Sequence, residues 1–259
     1  IKYNNNRSDQ DMNFVEIGYM VVEKDKTLSF YETPECSFST ILQKMADQQQ
    51  ISGWVQNDHY QSISDPERWK KTRTYLAPKK ILLIDRDGVI NQKAKQGEYI
   101  TDWGEFEWII DTRNAMKLLA ENGFQFIVVS NQAGIARGMF NLYDLERIHR
   151  KMKDELKRDG IKIIDIYVCP HHWDEKCYCR KPNPGMLFQA SQDHLLRLDK
   201  TLFIGDDPRD CQTAERAGCN SIFVGKATEL KKLSKNEYPI CHSRLLTDCI
   251  TNIEGYFNQ

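Results

Sequence analysis

The sequence predicts an α/β protein: one parallel sheet covered by helices on both faces, with a small separate α/β segment in front of it. Three observations carry that reading. From residue 79 onward, apolar runs of five to eight residues alternate with amphipathic stretches. Those runs are continuous rather than alternating, which is the pattern of strands buried on both faces. The chain also changes character at "LAPKK", residues 76–80, where the regular alternation begins.

Ahead of that boundary, FVEIGYMVV (14–22) and TLSFYE (27–32) are expected to be strands joined through the polar turn EKDK. SFSTILQKMADQQQ (37–50) is expected to be a helix with a serine cap, and SDPERWKKTRTYL (64–76) a helix with Pro66 in its first turn. Behind it, KKILLID (79–85) is the first strand of the sheet, and TRNAMKLLAENG is a helix closed by Gly123. FQFIVVS (124–130) is the second strand. It leads into a helix, NLYDLERIHRKMKDELKRDG, with Leu142, Leu145, Ile148, Met152 and Leu156 on one face. IKIIDIYV (161–168), TLFIG (201–205) and SIFVG (221–225) are the remaining strands, separated by the helices PGMLFQASQDHLL and PRDCQTAERAG. Two domains follow, 1–76 and 79–259.

Composition narrows the classes. At 259 residues, 40% hydrophobic and 28% charged, the chain has the make-up of an ordinary globular protein. A net charge of −1 gives no global attraction to nucleic acid or an anionic membrane, and no apolar run approaches the length of a membrane span. The chain opens on Ile1 in polar text without a signal-peptide pattern and is read as a fragment or processed product. Its eight cysteines, three of them in one cluster, fit a reducing cytoplasm better than a disulfide framework.

In a sheet of this kind ligands bind beyond the carboxyl ends of the strands. The residues that follow the strands are Asp85-Arg86-Asp87-Gly88, Ser130-Asn131-Gln132, the cysteine loop with Arg180-Lys181, and Gly205-Asp206-Asp207 with Asp210 a turn later. So many carboxylates on one edge repel unless a cation compensates them, and oxygen ligands favour a hard ion such as Mg²⁺. A lysine and a hydroxyl beside them suit phosphate oxygens. One aspartate can attack phosphorus while another, two residues on, protonates the leaving oxygen. Any one of these motifs alone reads as a solvated turn or a helix cap. Four in order at the ends of successive strands read as a phosphoryl-transfer site.

"LLIDRDGVIN", "VVSNQAGIARG", "CRKPNPGM" and "FIGDDPRD" resemble the four motifs of the haloacid dehalogenase superfamily, and within it the heptose bisphosphate and histidinol-phosphate phosphatases. The resemblance implies a three-layer Rossmann-like sheet without a large cap. It implies Asp85 as nucleophile and Mg²⁺ ligand, Asp87 as general acid/base with its carbonyl on the metal, and Asp206 as the third protein ligand. Ser130 and Lys181 would position the phosphoryl group. Asn131, Gln132, Arg180 and Asp207 would face the substrate, a small sugar phosphate. Heptose phosphatases usually carry a lysine where this chain has Asp207, so a carboxylate is expected to stand where the distal phosphate needs a cation.

The stretch CPHHWDEKCYCRKP (169–182) supplies Cys169, His171, Cys177 and Cys179, three thiolates and an imidazole suited to a closed tetrahedral Zn²⁺ site. The resemblance implies the same four ligands. A disulfide with one free thiol is the alternative. The zinc would be structural, fixing the loop that carries Arg180 and Lys181.

The segments FVEIGYMVV, SFSTILQKMADQQQISGWV and YQSISDPERWKKTRTYL resemble the closing portion of a sugar-1-phosphate nucleotidyltransferase, without the glycine-rich loop that begins such enzymes. The expected partner is therefore a transferase domain of the same parent chain, or a second copy of this chain. The expected activity is release of the 7-phosphate from a D-glycero-D-manno-heptose 1,7-bisphosphate. A coupled transferase would need the 1-phosphate kept, and by analogy with guanosine-diphosphate sugars would favour the α anomer. The alternatives are a histidinol-phosphate phosphatase and a catalytically silent, zinc-stabilised scaffold.

Overall fold

The computed structural model describes residues 3, 20–33, 35–55, 61–95 and 97–258 and divides the chain into two compact units, Ile1–Thr72 and Arg73–Gln259. In the first unit the described elements are helical. α1 is Lys24–Leu28 and α2 is Phe38–Asp47, while α3, Pro66–Tyr75, begins in this unit and ends in the second. Ser37 caps α2 by accepting from the Thr40 amide, as the sequence suggests. TLSFYE is not a strand: Thr27 lies in α1, with its hydroxyl and its amide both donating to the Glu23 carbonyl, and a turn follows. These local bonds satisfy the backbone without a partner strand. Of FVEIGYMVV, residues 14–19 lie outside the described residues, and Met20, Val21 and Val22 form no regular element. The α/β character expected of the N-terminal segment is thus not seen among the described residues.

The second unit is a six-stranded parallel sheet in the order β3-β2-β1-β4-β5-β6. Its strands are β1 (Ile81–Ile84), β2 (Gln125–Asn131), β3 (Ile163–Cys169), β4 (Leu202–Gly205), β5 (Asn220–Val224) and β6 (Cys241–Ser243). Alternate side chains feed two cores. Leu82, Ile84, Phe126 and Val128 pack with residues of α4 (Ile110–Glu121), α5 (Leu142–Arg158) and α8 (Ile250–Phe257) on one face. Ile81, Leu83, Ile127 and Val129 pack with residues of α6 (Gly185–His194) and α7 (Pro208–Arg216) on the other. This is the expected three-layer arrangement. β6 and α8 extend it beyond the expected five strands, because the sequence CHS has no apolar run to mark it.

On α5 the buried face is Leu145, Ile148, His149, Met152 and Leu156. Leu142, expected on that face, is exposed at the helix start, where the Asn141–Asp144 capping box turns the first residue outward. His149 instead joins the buried set. No helix among the described residues is long and apolar enough to cross a membrane.

Candidate active site

The strand order reverses between β1 and β4, and the side chains that follow these two strands face one crevice. The ladder continues one step past the strands, where the Asp85 amide donates to the Ile204 carbonyl at 2.8 Å. That contact sets Asp85 directly beside Asp206. Gly88 makes the closeness feasible: its φ is +95°, and a Cβ there would collide with the Asp206 carboxylate.

Asp85, Asp87, Ser130, Asn131, Lys181 and Asp207 line one cavity, and Lys93, Arg209 and Asp210 join them. Lys181 is 4% exposed, and its Nζ reaches Asp85 Oδ2 at 2.9 Å, Asp210 Oδ1 at 2.7 Å and the Val129 carbonyl at 3.1 Å. Burial works against its charge, but Asp210 and Asp85 outweigh that and hold the ammonium well above its ordinary range. Asp210, a turn beyond Asp206 at the start of α7, also accepts from the Asp207 amide at 3.1 Å. It therefore anchors Lys181, a role the motif text alone did not assign.

Asp85, Asp206 and Asp210 present carboxylate oxygens that all lie within 4.8 Å of one another. Burial pushes the Asp85 carboxyl up to about 7, against the pull of Lys181 and with the repulsion of Asp210 and Asp206 added. Burial likewise raises Asp206 to about 6 despite Lys93, whose Nζ is 2.5 Å from its Oδ2. Asp206 Oδ1 is buried and has no hydrogen-bond partner. A crowded carboxylate group with an unpartnered buried oxygen fits a hard divalent cation, which would supply the missing positive charge.

Asp87 sits in a cradle of donors. Arg86 Nε and Nη2 donate to its Oδ1 at 3.1 and 2.9 Å, and Nη2 also reaches Oδ2 at 2.9 Å. Asn91 donates to Oδ1 at 3.0 Å and Gln132 to Oδ2 at 2.7 Å. Burial pushes this carboxyl up, but the Arg86 charge and the hydrogen bonds of Asn91, Arg86 and Gln132 outweigh it and hold Asp87 below the usual carboxylate range.

The expected substrate-facing residues divide. Gln132 is fully buried, with Nε2 spent on Asp87 and on Ser130 Oγ at 2.8 Å. It stands behind the site and supports Asp87, which moves it out of the substrate-facing set. Asn131 lines the cavity, but its amide is engaged with the Lys181 backbone. Arg180 reaches the His171 carbonyl at 3.5 Å and is not among the residues lining the cavity. Asp207 lines it, yet Arg209 grips both its oxygens, Nε on Oδ1 at 2.8 Å and Nη2 on Oδ2 at 2.7 Å. Burial opposes, but those bonds win and hold Asp207 at about 2. The carboxylate expected to repel a distal phosphate is thus neutralised by a guanidinium that also lines the cavity.

Cys169, His171, Cys177 and Cys179 come together in one cluster. The Sγ atoms of Cys169 and Cys179 are each 3.5 Å from that of Cys177, and His171 Nδ1 is 3.6 Å from Cys169 Sγ and 3.1 Å from Cys179 Sγ. Two sulfurs about 2.3 Å from one tetrahedral zinc lie roughly 3.8 Å apart, so the donor set fits the ion with a small expansion.

The chain matches the HAD-hydrolase-like family over residues 178–246. It is 34% identical over 175 residues to the D-glycero-alpha-D-manno-heptose-1,7-bisphosphate 7-phosphatase of Photorhabdus laumondii, covering 62% of this chain and 94% of that one. It is 33% identical over 179 residues to the corresponding beta-heptose phosphatase of Pseudomonas aeruginosa, covering 69% and 98%. Among solved structures, D,D-heptose 1,7-bisphosphate phosphatase from B. bronchiseptica, complexed with magnesium and phosphate, superposes with a TM-score of 0.61 at 29% identity, covering 68% of this chain and 98% of that one.

Proposed function

The chain belongs to the haloacid-dehalogenase-like phosphatases, in the family of the D-glycero-D-manno-heptose-1,7-bisphosphate 7-phosphatases, and on that premise we propose that it removes the 7-phosphate of such a bisphosphate and leaves the 1-phosphate in place. The observation that carries this reading is the meeting of Asp85, Asp87, Ser130 and Lys181, from three separate motifs, around one cavity.

Asp85 attacks phosphorus as the bond to the leaving sugar oxygen breaks, and that oxygen takes a proton from Asp87, which enters the step protonated because the negative charge of the bound phosphate opposes the pull of Arg86. The resulting aspartyl-phosphate is opened by water, whose proton returns to Asp87 as its oxygen bonds to phosphorus and the bond to Asp85 breaks. Lys181 and Ser130 hold the phosphoryl oxygens. Asp85, Asp206 and the Asp87 carbonyl would hold Mg²⁺, which would supply positive charge beside those oxygens.

The four-residue cysteine and histidine cluster is read as a structural zinc site that stiffens the loop leading directly into Lys181. The loop has little core of its own, so an ion there substitutes for packing. We read 1–76 as the closing portion of a sugar-1-phosphate nucleotidyltransferase and 79–259 as the phosphatase domain. A product that keeps its 1-phosphate is the class of substrate such a transferase activates. None of the eight cysteines is in a disulfide, and we read the chain as a cytoplasmic enzyme.

The deciding experiment compares kcat/KM for the α- and β-anomers of the 1,7-bisphosphate and for histidinol phosphate, with the released position assigned by phosphorus NMR. Release from position 7 with a bisphosphate preferred is expected. Preference for histidinol phosphate, or release from position 1, overturns the assignment.

A further inference from the structure

Arg86 follows the proposed nucleophile in sequence and is fully buried, yet the chemistry above gives it no part. A buried guanidinium loses several kcal/mol of hydration, and buried ion pairs can often be replaced by apolar residues without loss of stability. Packing therefore does not explain it. Its hydrogen bonds point elsewhere. One edge of the guanidinium grips Asp87, while Nη1 reaches His149 Nε2 at 3.0 Å.

His149 lies in the middle of α5, a 17-residue helix, between the buried Ile148 and Met152. Guanidinium has donors only, so His149 Nε2 must accept and the ring carries its proton on Nδ1. A neutral acceptor here matters. It fixes the orientation of Arg86 without drawing its charge away from Asp87, as a carboxylate at the same place would. The near end is equally fixed, because the Arg86 carbonyl accepts from the amides of Val89, Ile90 and Asn91 at 3.3, 2.8 and 3.1 Å.

We propose that Arg86 and His149 form a positioning pair for Asp87, through which α5 sets the plane of the carboxylate that exchanges the proton. Neither Arg86 nor His149 is among the residues lining the cavity. A two-point grip fixes a carboxylate plane in a way a single charge does not, and Asn91 and Gln132 complete the cradle. The inference rests on the phosphatase reading and adds residues to it.

The test uses the dependence on leaving group. A sugar alkoxide needs a proton to depart, whereas p-nitrophenolate does not, so misaligning Asp87 penalises the first far more than the second. In kcat/KM, which covers steps only through leaving-group departure, His149→Leu should lose roughly 10- to 100-fold on the heptose bisphosphate, part of the ~10²–10⁴-fold that acid–base help supplies. It should lose only a few-fold on p-nitrophenyl phosphate. His149→Gln, whose amide oxygen can accept from Arg86, should restore most of the loss. Arg86→Lys, which keeps the charge and loses the fork, should show the same selective loss and serves if His149→Leu fails to fold. In an Asp87→Asn background, His149→Leu should add nothing further.

Equal losses on both substrates, or an additive loss in the Asp87→Asn background, would overturn the proposal. Asp85→Asn separates the two levels. If it keeps turnover, the aspartyl-phosphate mechanism on which the pair rests fails. If it is inactive while the leaving-group ratio in His149→Leu is unmoved, only the positioning pair fails.

Discussion

Asn131 and Lys181 hold each other by a reciprocal pair of bonds, the Lys181 amide donating to Asn131 Oδ1 at 3.0 Å and Asn131 Nδ2 donating to the Lys181 carbonyl at 3.2 Å. The end of β2 is thereby clamped to the loop that carries Lys181, the lysine proposed to hold the phosphoryl oxygens. Asn131→Ala should release that loop without removing any charge. The expected result is a fall in kcat/KM of about 10- to 100-fold, on the scale that a misplacement near 1 Å produces. Steady-state kinetics check it, and near-normal activity would argue that the cysteine loop holds Lys181 unaided.

Asp85→Asn should abolish phosphate release with fold and zinc content unchanged, because it removes the proposed nucleophile at constant size. Asp87→Asn should be slowed by ~10²–10⁴-fold, the usual range for acid–base assistance. Phosphate-release assays with circular dichroism as the folding control decide both. Substantial turnover by Asp85→Asn would rule out an aspartyl-phosphate.

The two ions should separate experimentally. Elemental analysis is expected to find about one zinc per chain, by the four-donor argument, while turnover follows added Mg²⁺. Brief chelation should stop the reaction reversibly. Cys177→Ser should lower zinc content and leave 169–182 open to proteolysis, with activity falling indirectly through Lys181. A zinc-free preparation with full activity and an unchanged melting curve would refute the structural role.

Burial, aided by the Arg86 charge and by Lys153 and only partly offset by Asp87, pushes His149 down to about 3 from an ordinary value of 6.5. The unfolded chain therefore binds this proton more readily than the folded one. The stabilisation is complete above pH 6.5 and drains away as the pH falls toward 3. His149→Gln cannot take up that proton. Its melting temperature should fall less steeply than that of the wild type between pH 6.5 and pH 4 in parallel calorimetric scans, while the carboxylates contribute equally to both.

The sheet and the meeting of the motifs were legible because each signal was local. ILLI and FIVV are continuous apolar runs, and the charged residues that follow them mark the carboxyl edge. What stayed hidden depends on side-chain direction. Asn131 and Gln132 read as substrate contacts from their place after β2, but Asn131 binds the Lys181 backbone and Gln132 turns inward to Asp87. Leu142 and His149 exchanged roles because a capping box, not hydrophobic spacing, set the first turn of α5. Asp210 was visible only as a nearby carboxylate until Lys181 was found against it. TLSFYE misled because its alternation implied a partner strand, whereas local bonds to Glu23 closed a helical turn instead.

The last prediction concerns Asp207 and Arg209, which form a two-point ion pair and both line the cavity. Arg209→Ala would leave the Asp207 carboxylate unpaired beside the substrate. A dianionic phosphate approaching an unpaired carboxylate meets repulsion, weakened by water but not abolished at a partly buried site. The variant should therefore lose kcat/KM for the bisphosphate by roughly 10-fold or more, a cost near that of one misplaced interfacial charge. For p-nitrophenyl phosphate, which has no second phosphate, it should stay within a few-fold of the wild type. Arg209→Ala/Asp207→Ala removes the stranded carboxylate and should recover part of the loss on the bisphosphate. If Arg209→Ala weakens both substrates equally, the pair serves α7 rather than the substrate, and distal recognition must come from another cation such as Lys93.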